Sequence, residues 1–318
     1  LPDKADVTAH LSGTVTMLNK QAMKAHDLAH VFIRNAPLTV DRRVHVTRTA
    51  DHGNIAIVAV DQTLHVGPAA MPSTHVYAVD RTTRQAVPAP KGVAVEPATG
   101  LTIGYPFAPK AASVYRSYDP TTQSTGPVSY EGTTTRAGRD VNVYTTNITG
   151  PVQDKGLLAS LPVALPKPVL SGLASRLPAP AQAKLAPALK VLPAVIPLHY
   201  VSSSATTAYV DRTTGAAVDQ AVKQQIVATI TVGGRTVNLV PVLAIDAKVT
   251  PSSVHALATR AAKAEHLLKL LGTQIPVILV ILGLGLEAMA LVRRRKNRKL
   301  AVIDSAASDV TETVKSSV

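Results

Sequence analysis

Apolar and polar positions alternate in steps of two along several stretches of this chain, the period of a strand with one buried face. Residues 9–19 show it first: His10, Ser12, Thr14 and Thr16 share one parity, Leu11, Val15 and Met17 the other. From Lys20 to Arg34 the step lengthens to a helical one through Met23, Leu28, Val31 and Phe32. Strand patterning returns at Leu38–Thr49 and Ile55–Leu64. Asp51-His52-Gly53-Asn54 between them is turn chemistry, so the two predict a hairpin. Further strands are expected at Ser73–Asp80, Ser113–Tyr118, Val128–Gly132 and Asp140–Thr146. Ile226–Val232 and Arg235–Val240 flank Gly233-Gly234 and give the strongest hairpin signal.

Two stretches break this period. Between Gly150 and Pro197 leucines recur at three- and four-residue steps, and nine of the 23 prolines cut the pattern into short amphipathic helices. Lys155, Lys167, Arg176, Lys184 and Lys190 make the polar side of those helices basic. Such helices suit a membrane surface or an acyl chain, and equally suit packing on a sheet. From Leu270 to Val292 runs a stretch of 23 residues with Glu287 as its one ionisable side chain. As a helix it would rise about 35 Å, enough for a bilayer core of about 30 Å. Arg293, Arg294, Arg295 and Lys296 open a basic block that would hold its end on the cytoplasmic side. Glu287 would either snorkel to the headgroups or meet a partner helix. A helix starting at about Ser253, with serine as N-cap, would lead into the span.

The expected fold class is therefore α+β. Two β-rich extracytoplasmic lobes (1–149 and 199–250) would flank a Pro/Leu/Ala-rich helical insert (150–198). A juxtamembrane helix (251–269), a C-terminal transmembrane helix (270–292) and a cytoplasmic basic stop with a disordered tail (293–318) would follow.

Composition narrows the chemistry. The chain has 318 residues and no Cys, which excludes disulfides, thiolate metal sites and cysteine nucleophiles. A net charge of +13 favours anionic surfaces such as lipid headgroups, and no basic stripe interleaved with aromatics points to nucleic acid. His26 and His30 share a helical face without a third ligand, so no metal is expected. No nucleophile elbow, phosphate-binding loop, dinucleotide fingerprint or zinc helix is present, which argues for a non-enzyme with no cofactor. Tyr77-Ala78-Val79-Asp80-Arg81-Thr82-Thr83 is echoed by Tyr209-Val210-Asp211-Arg212-Thr213-Thr214 and, more weakly, by Tyr118-Asp119-Pro120-Thr121-Thr122. Each reads as a strand entering a turn that the aspartate stabilises.

Gly100-Leu101-Thr102-Ile103-Gly104-Tyr105-Pro106-Phe107, then Tyr115 to Thr122, Val128 to Gly132 and Tyr209 to Gly215, in that order and spacing, resemble the actinobacterial PorA family. The resemblance implies a cell-envelope membrane protein, with relatives linked to envelope glycolipid assembly, and it supplies no catalytic residues. Short strands argue against a membrane-spanning barrel.

The leading expectation is an extracytoplasmic protein that binds or scaffolds envelope lipid or glycolipid. Its contact candidates are Leu161, Leu165, Leu173, Leu177, Leu185, Leu189, Lys167, Arg176, Lys184 and Lys190. The alternatives are an oligomeric channel through the C-terminal helix and a docking module for an integral-membrane transporter or synthase.

Overall fold

The computed structural model describes residues 1–270 apart from 26, 28, 29, 175–181, 184–188, 190, 191 and 233, and gives the backbone alone for 20, 24, 173 and 174. The predicted alternation is realised in long strands. In chain order they are β1 (Asp6–Leu18), β2 (Phe32–Ala50), β3 (Ile55–Val66), β4 (Ala69–Asp80), β5 (Arg116–Asp119), β6 (Ser124–Arg136), β7 (Arg139–Pro151), β8 (Ala164–Pro166), β9 (Val195–Pro197), β10 (His199–Asp211), β11 (Ala217–Val232) and β12 (Arg235–Val249). The helices are α1 (Lys20–Lys24), α2 (Lys155–Ser160), α3 (Lys167–Ala174) and α4 (Pro251–Lys269).

Among the described residues, ten strands form a single sheet in the order β4-β3-β2-β1-β12-β11-β10-β7-β6-β5. This overturns the expected two-lobed α+β architecture. The first strand pairs with the last, Leu11 opposite Val249, and β7 pairs with β10 from Pro151 opposite Val201 to Val141 opposite Asp211. The would-be lobes are thus two parts of one antiparallel wall. The strands expected to be short are long, 19 residues in β2 and 13 in β1, because half-buried alternation continues through their Thr, His and Arg positions.

The sheet curls. Arg42 on β2 donates from Nη1 to Gln220 Oε1 on β11 at 3.2 Å, with β1 and β12 between them. A flat sheet would hold those strands about 14 Å apart, beyond the reach of the two side chains. The outermost strands are also joined. Val79 bridges Ala86, Gln85 bridges Leu101, and Leu101 bridges Ser117. Asp80 N to Gln85 O at 2.9 Å, Ala86 N to Gly100 O at 2.8 Å and Leu101 N to Arg116 O at 2.8 Å complete a hydrogen-bonded path from β4 to β5. The wall is closed into a ring at that level.

Register assigns every side chain to a face. Leu11, Val15, Leu38, Val40, Val66, Ala247 and Val249 share the enclosed face and form one buried cluster. Ala56, Val58, Val60, Tyr77 and Val79 continue it across β3 and β4. The outer face of the same strands carries Thr8, His10, Thr39, Asp41, Arg43 and His65.

Helices cap this wall. Val254 and Leu257 of α4 pack on the Leu11–Leu38 cluster, while Leu257 and Ala261 meet Val141, Val218 and Tyr209. The helix begins at Pro251, and its amide at Ser253 is held by Thr250 Oγ1 at 3.4 Å. The predicted N-cap Ser253 instead accepts from His10 N at 3.0 Å, tying α4 to β1. Among the described residues no helix is long and apolar enough to cross a membrane. Residues 271–292, and with them most of the expected span, lie outside the described residues. The helix expected over 20–34 is reduced to α1, because β2 starts at Phe32.

Candidate functional site

The enclosed face has an apolar trough that ends on a charge. Leu38 and Val40 are buried, while Met17, Ala36, Leu64, Met71, Leu243 and Ile245 are half-buried and pack beside them. Two residues further along β2, the same parity places Arg42, opposite Gln62 of β3. Its Nη1 is held by Gln220, whereas its Nε is fully enclosed with no hydrogen-bond partner. Burial lowers its pKa, and the phenol of Tyr77 is the one titratable group that acts on it. The residue as a whole is half-buried.

Aromatic groups line part of this face. His75 stacks over Tyr77 and pairs with Glu96 at 2.9 Å. Tyr77 meets Tyr118 of β5 edge-on at 5.9 Å, which places β4 and β5 on the same interior. Tyr105, Tyr115, Tyr130 and Tyr144 form a second aromatic group over Val128, Ala208 and Val210. Burial pushes Tyr144 up to about 12, and its hydroxyl donates to Lys110 O at 2.5 Å.

The insert packs on the sheet. Leu157, Leu161, Leu165, Leu189 and Leu192 lie against Tyr200, Ile226, Ile230 and Leu239, and Leu170 is fully buried there. Of the expected contact residues, Leu161, Leu165 and Leu189 therefore face protein, and Lys167 Nζ donates to Leu192 O at 3.1 Å. Leu173 is described by backbone alone. Leu177, Leu185, Arg176, Lys184 and Lys190 lie outside the described residues, as do Glu287, Arg293, Arg294, Arg295 and Lys296. His26 also lies outside them, and His30 is bound to Asp27 at 2.7 Å.

The aspartate turns are structural, as their chemistry implies. Asp80 Oδ1 accepts from Thr82 N, Thr83 N and Thr83 Oγ1, and Asp211 Oδ1 accepts from Thr213 N, Thr214 N and Thr214 Oγ1. Asp119 Oδ2 accepts from Thr122 N and Oγ1. Asp211 alone is also paired, with Arg139 at 2.7 Å.

The outer face is polar along β1 and along β2 from Thr39 to His45, whereas Ile57, Ala59 and Ala78 are buried on the same side of β3 and β4. Asp41 bridges His10 at 2.6 Å and His65 at 3.1 Å, and Arg43 grips Asp6 at 2.6 Å. Hydrogen bonds from His10 and His65 hold the Asp41 carboxyl below the usual range. Further round, a groove of about 470 Å³ is lined by Thr14, Thr149, Ser203, Lys223, Gln225 and Asp246 among others. Among the described residues no group of three His, Asp or Glu could hold a metal ion.

Arg42, Gln62, Gln220 and Tyr77 were not among the sequence candidates. A signal existed: Leu38, Val40, Arg42, Val44 and Val46 share one parity, and Arg42 is the only polar member of that apolar row.

The described residues form a ring of long strands around a largely apolar interior. A family model described as Porin PorA matches residues 1–292, and the chain belongs to that family of membrane proteins. No curated protein matches. Among solved structures, a MaoC-like dehydratase from Phytophthora Capsici is 10% identical over 76% of this chain and 71% of its own, with a TM-score of 0.13. A similarity that low supports no argument about fold or activity.

Proposed function

We propose that this membrane-associated envelope protein binds an amphiphilic lipid or glycolipid on the enclosed face of its curled sheet, without catalysis. The observation that supports this reading is the half-buried apolar row Met17, Leu64, Met71, Leu243 and Ile245 inside a closed ring of strands. Rings of eight or more strands have interiors wide enough to hold a small ligand, and apolar linings with few polar groups are the usual form of such sites. The basic block at 293–299 is the reason for assigning the sheet to the extracytoplasmic side. The insert then serves as a packed cover over one end of the sheet instead of as the lipid contact.

The family description favours a second reading, pore formation. Against the sheet itself as the wall of a pore stands its outer face, where Asp6, His10, Asp41, Arg43 and His65 occupy positions that a membrane barrel fills with apolar side chains.

The test is to purify the full chain in detergent, extract it with organic solvent and quantify co-purified lipid by mass spectrometry against an empty-micelle control. About one lipid per chain is expected. Lipid at the level of the control would overturn the reading.

A further inference from the structure

We propose that Arg42 is an anion anchor inside the ring, and that the occupant is an acidic lipid. Its phosphate or carboxylate head would lie on the guanidinium and its chain along Val40, Leu38, Leu64 and Met71. This rests on the lipid-binding reading above and adds the charge of the head and the residue that selects it.

The argument begins with what Arg42 lacks. A guanidinium cannot shed its proton to escape burial, so an enclosed arginine needs a counter-charge or a full set of acceptors. Here one neutral amide, Gln220, takes Nη1, and Nε–H is enclosed without an acceptor. No carboxylate acts on the group. Glu96, the carboxylate that pairs with His75 on this face, is committed to that imidazole. Nε–H together with the neighbouring amino group is the edge that binds carboxylate or phosphate through two parallel hydrogen bonds. Gln62, opposite Arg42 on β3, adds an amide at the same level. A native position this costly is expected where an external ligand completes it.

The apolar half follows from register. Leu38 lies four residues before Arg42 on the same face, about 13 Å along the strand. Leu64 opposite Val40 and Met71 opposite Leu64 widen that row into a trough, and all three remain on the enclosed side. A chain in this trough meets carbon along its length and a single cation at its end. Inorganic phosphate would use only the cation. A neutral lipid would use only the trough.

The experiment uses the full chain in detergent, stripped of lipid, with three probes measured by titration calorimetry: oleate, oleyl alcohol and inorganic phosphate. Oleate is expected to bind at least 10-fold tighter than oleyl alcohol, and phosphate alone not measurably. Arg42→Met is expected to weaken oleate about 10- to 100-fold while leaving oleyl alcohol unchanged. This variant removes an unpaired enclosed charge, so its melting temperature should be no lower than wild type. Oleate binding unchanged in Arg42→Met, or wild type binding the acid and the alcohol equally, would remove the anchor and leave the lipid reading standing. Neither chain binding would sink both. Tight phosphate binding with no gain from the chain would overturn the lipid half. The oleate-to-alcohol ratio in wild type decides the matter even if the variant does not fold.

Discussion

Arg42 and Arg43 are neighbours on β2 that point to opposite faces of the wall, and they are treated in opposite ways. Arg43 is exposed and holds Asp6 with two donors, Nε at 3.0 Å and Nη2 at 2.6 Å, which raises its pKa. Arg42 is enclosed, has one neutral partner, and its pKa is lowered by burial. Ion pairs in water contribute little, whereas an unpaired enclosed charge costs several kcal/mol. The outer face thus has pairs where they matter least, and the inner face lacks one where it would matter most. Stability does not explain that distribution, but a ligand that brings its own anion does. The outer pairs have a separate use: charged, hydroxylated side chains keep a long sheet from stacking on another.

The contrast between enclosed and exposed positions can be pressed with pairs of substitutions. The largest difference is expected in the repeated aspartate turn. Asp211 is 1% exposed and bonded to Arg139, Thr213 and Thr214, so Asp211→Ala should cost about 3–5 kcal/mol by denaturant unfolding. The less buried copy, Asp80→Ala, should cost about 1 kcal/mol. Equal costs would mean that the turn chemistry, and not its burial, sets the energy. Burial pushes the Asp211 carboxyl up, but the Arg139 and Thr214 hydrogen bonds outweigh it and leave the pKa below the ordinary value. A depressed folded pKa means its contribution is present above the unfolded value near 4 and is lost as pH falls through the folded one. Asp211→Asn should flatten that acid limb.

Next is the wall itself. Leu38, fully buried on the inner face, and Thr39, exposed on the outer face, are adjacent. Leu38→Ala should cost about 2–5 kcal/mol and Thr39→Ala no more than about 0.5 kcal/mol. Similar values for the two would place the core on the wrong face.

Alkaline titration probes the enclosed face in another way. Burial pushes both Tyr144 and Tyr200 up to about 12, and both phenols donate to backbone carbonyls, of Lys110 and Pro162. A raised folded pKa means the stabilisation is full below the unfolded value near 10 and is lost as pH rises through the folded one. Each should account for about 2 kcal/mol between pH 10 and 12. Tyr144→Phe and Tyr200→Phe should shallow that loss, as followed by circular dichroism against pH.

Much of this wall was legible in the sequence. The hairpins β2–β3 and β11–β12 were marked by alternation and by turn residues, and the family resemblance by ordered motifs. What misled was the mixture of signals between residues 150 and 197. Leucine steps there mark helices, and that pattern reads as an exit from one β-lobe and an entry into another. Pairing of β7 with β10, and of β1 with β12, joins residues at least 50 and more than 200 positions apart, and no local pattern encodes which strand finds which. Arg42 was missed for a related reason. Its parity is visible, but its lack of a partner depends on what the curl brings near.

The smallest contrast lies in the fifth residue of the three aspartate turns, which adopts left-handed backbone each time: Arg84 at φ 62°, Gln123 at φ 50° and Gly215 at φ 71°. Only the last is glycine. A Cβ at Gly215 would lie 2.0 Å from Pro106 O, so that copy has no choice. Arg84 stays because it is buried against Phe107 at 5.3 Å. Gln123 is exposed and forms no such contact with an aromatic ring, so its left-handed strain is relieved by Gln123→Gly at little other cost. Glycine is freer in the unfolded chain, which offsets part of the gain and leaves about 0.5 kcal/mol of stabilisation. A rise in melting temperature for Gln123→Gly and a fall for Gly215→Ala would show that one backbone shape is held by conformational preference in one copy and by close packing in another. A fall for both would show that the Gln123 side chain contributes more to its turn than its exposure suggests.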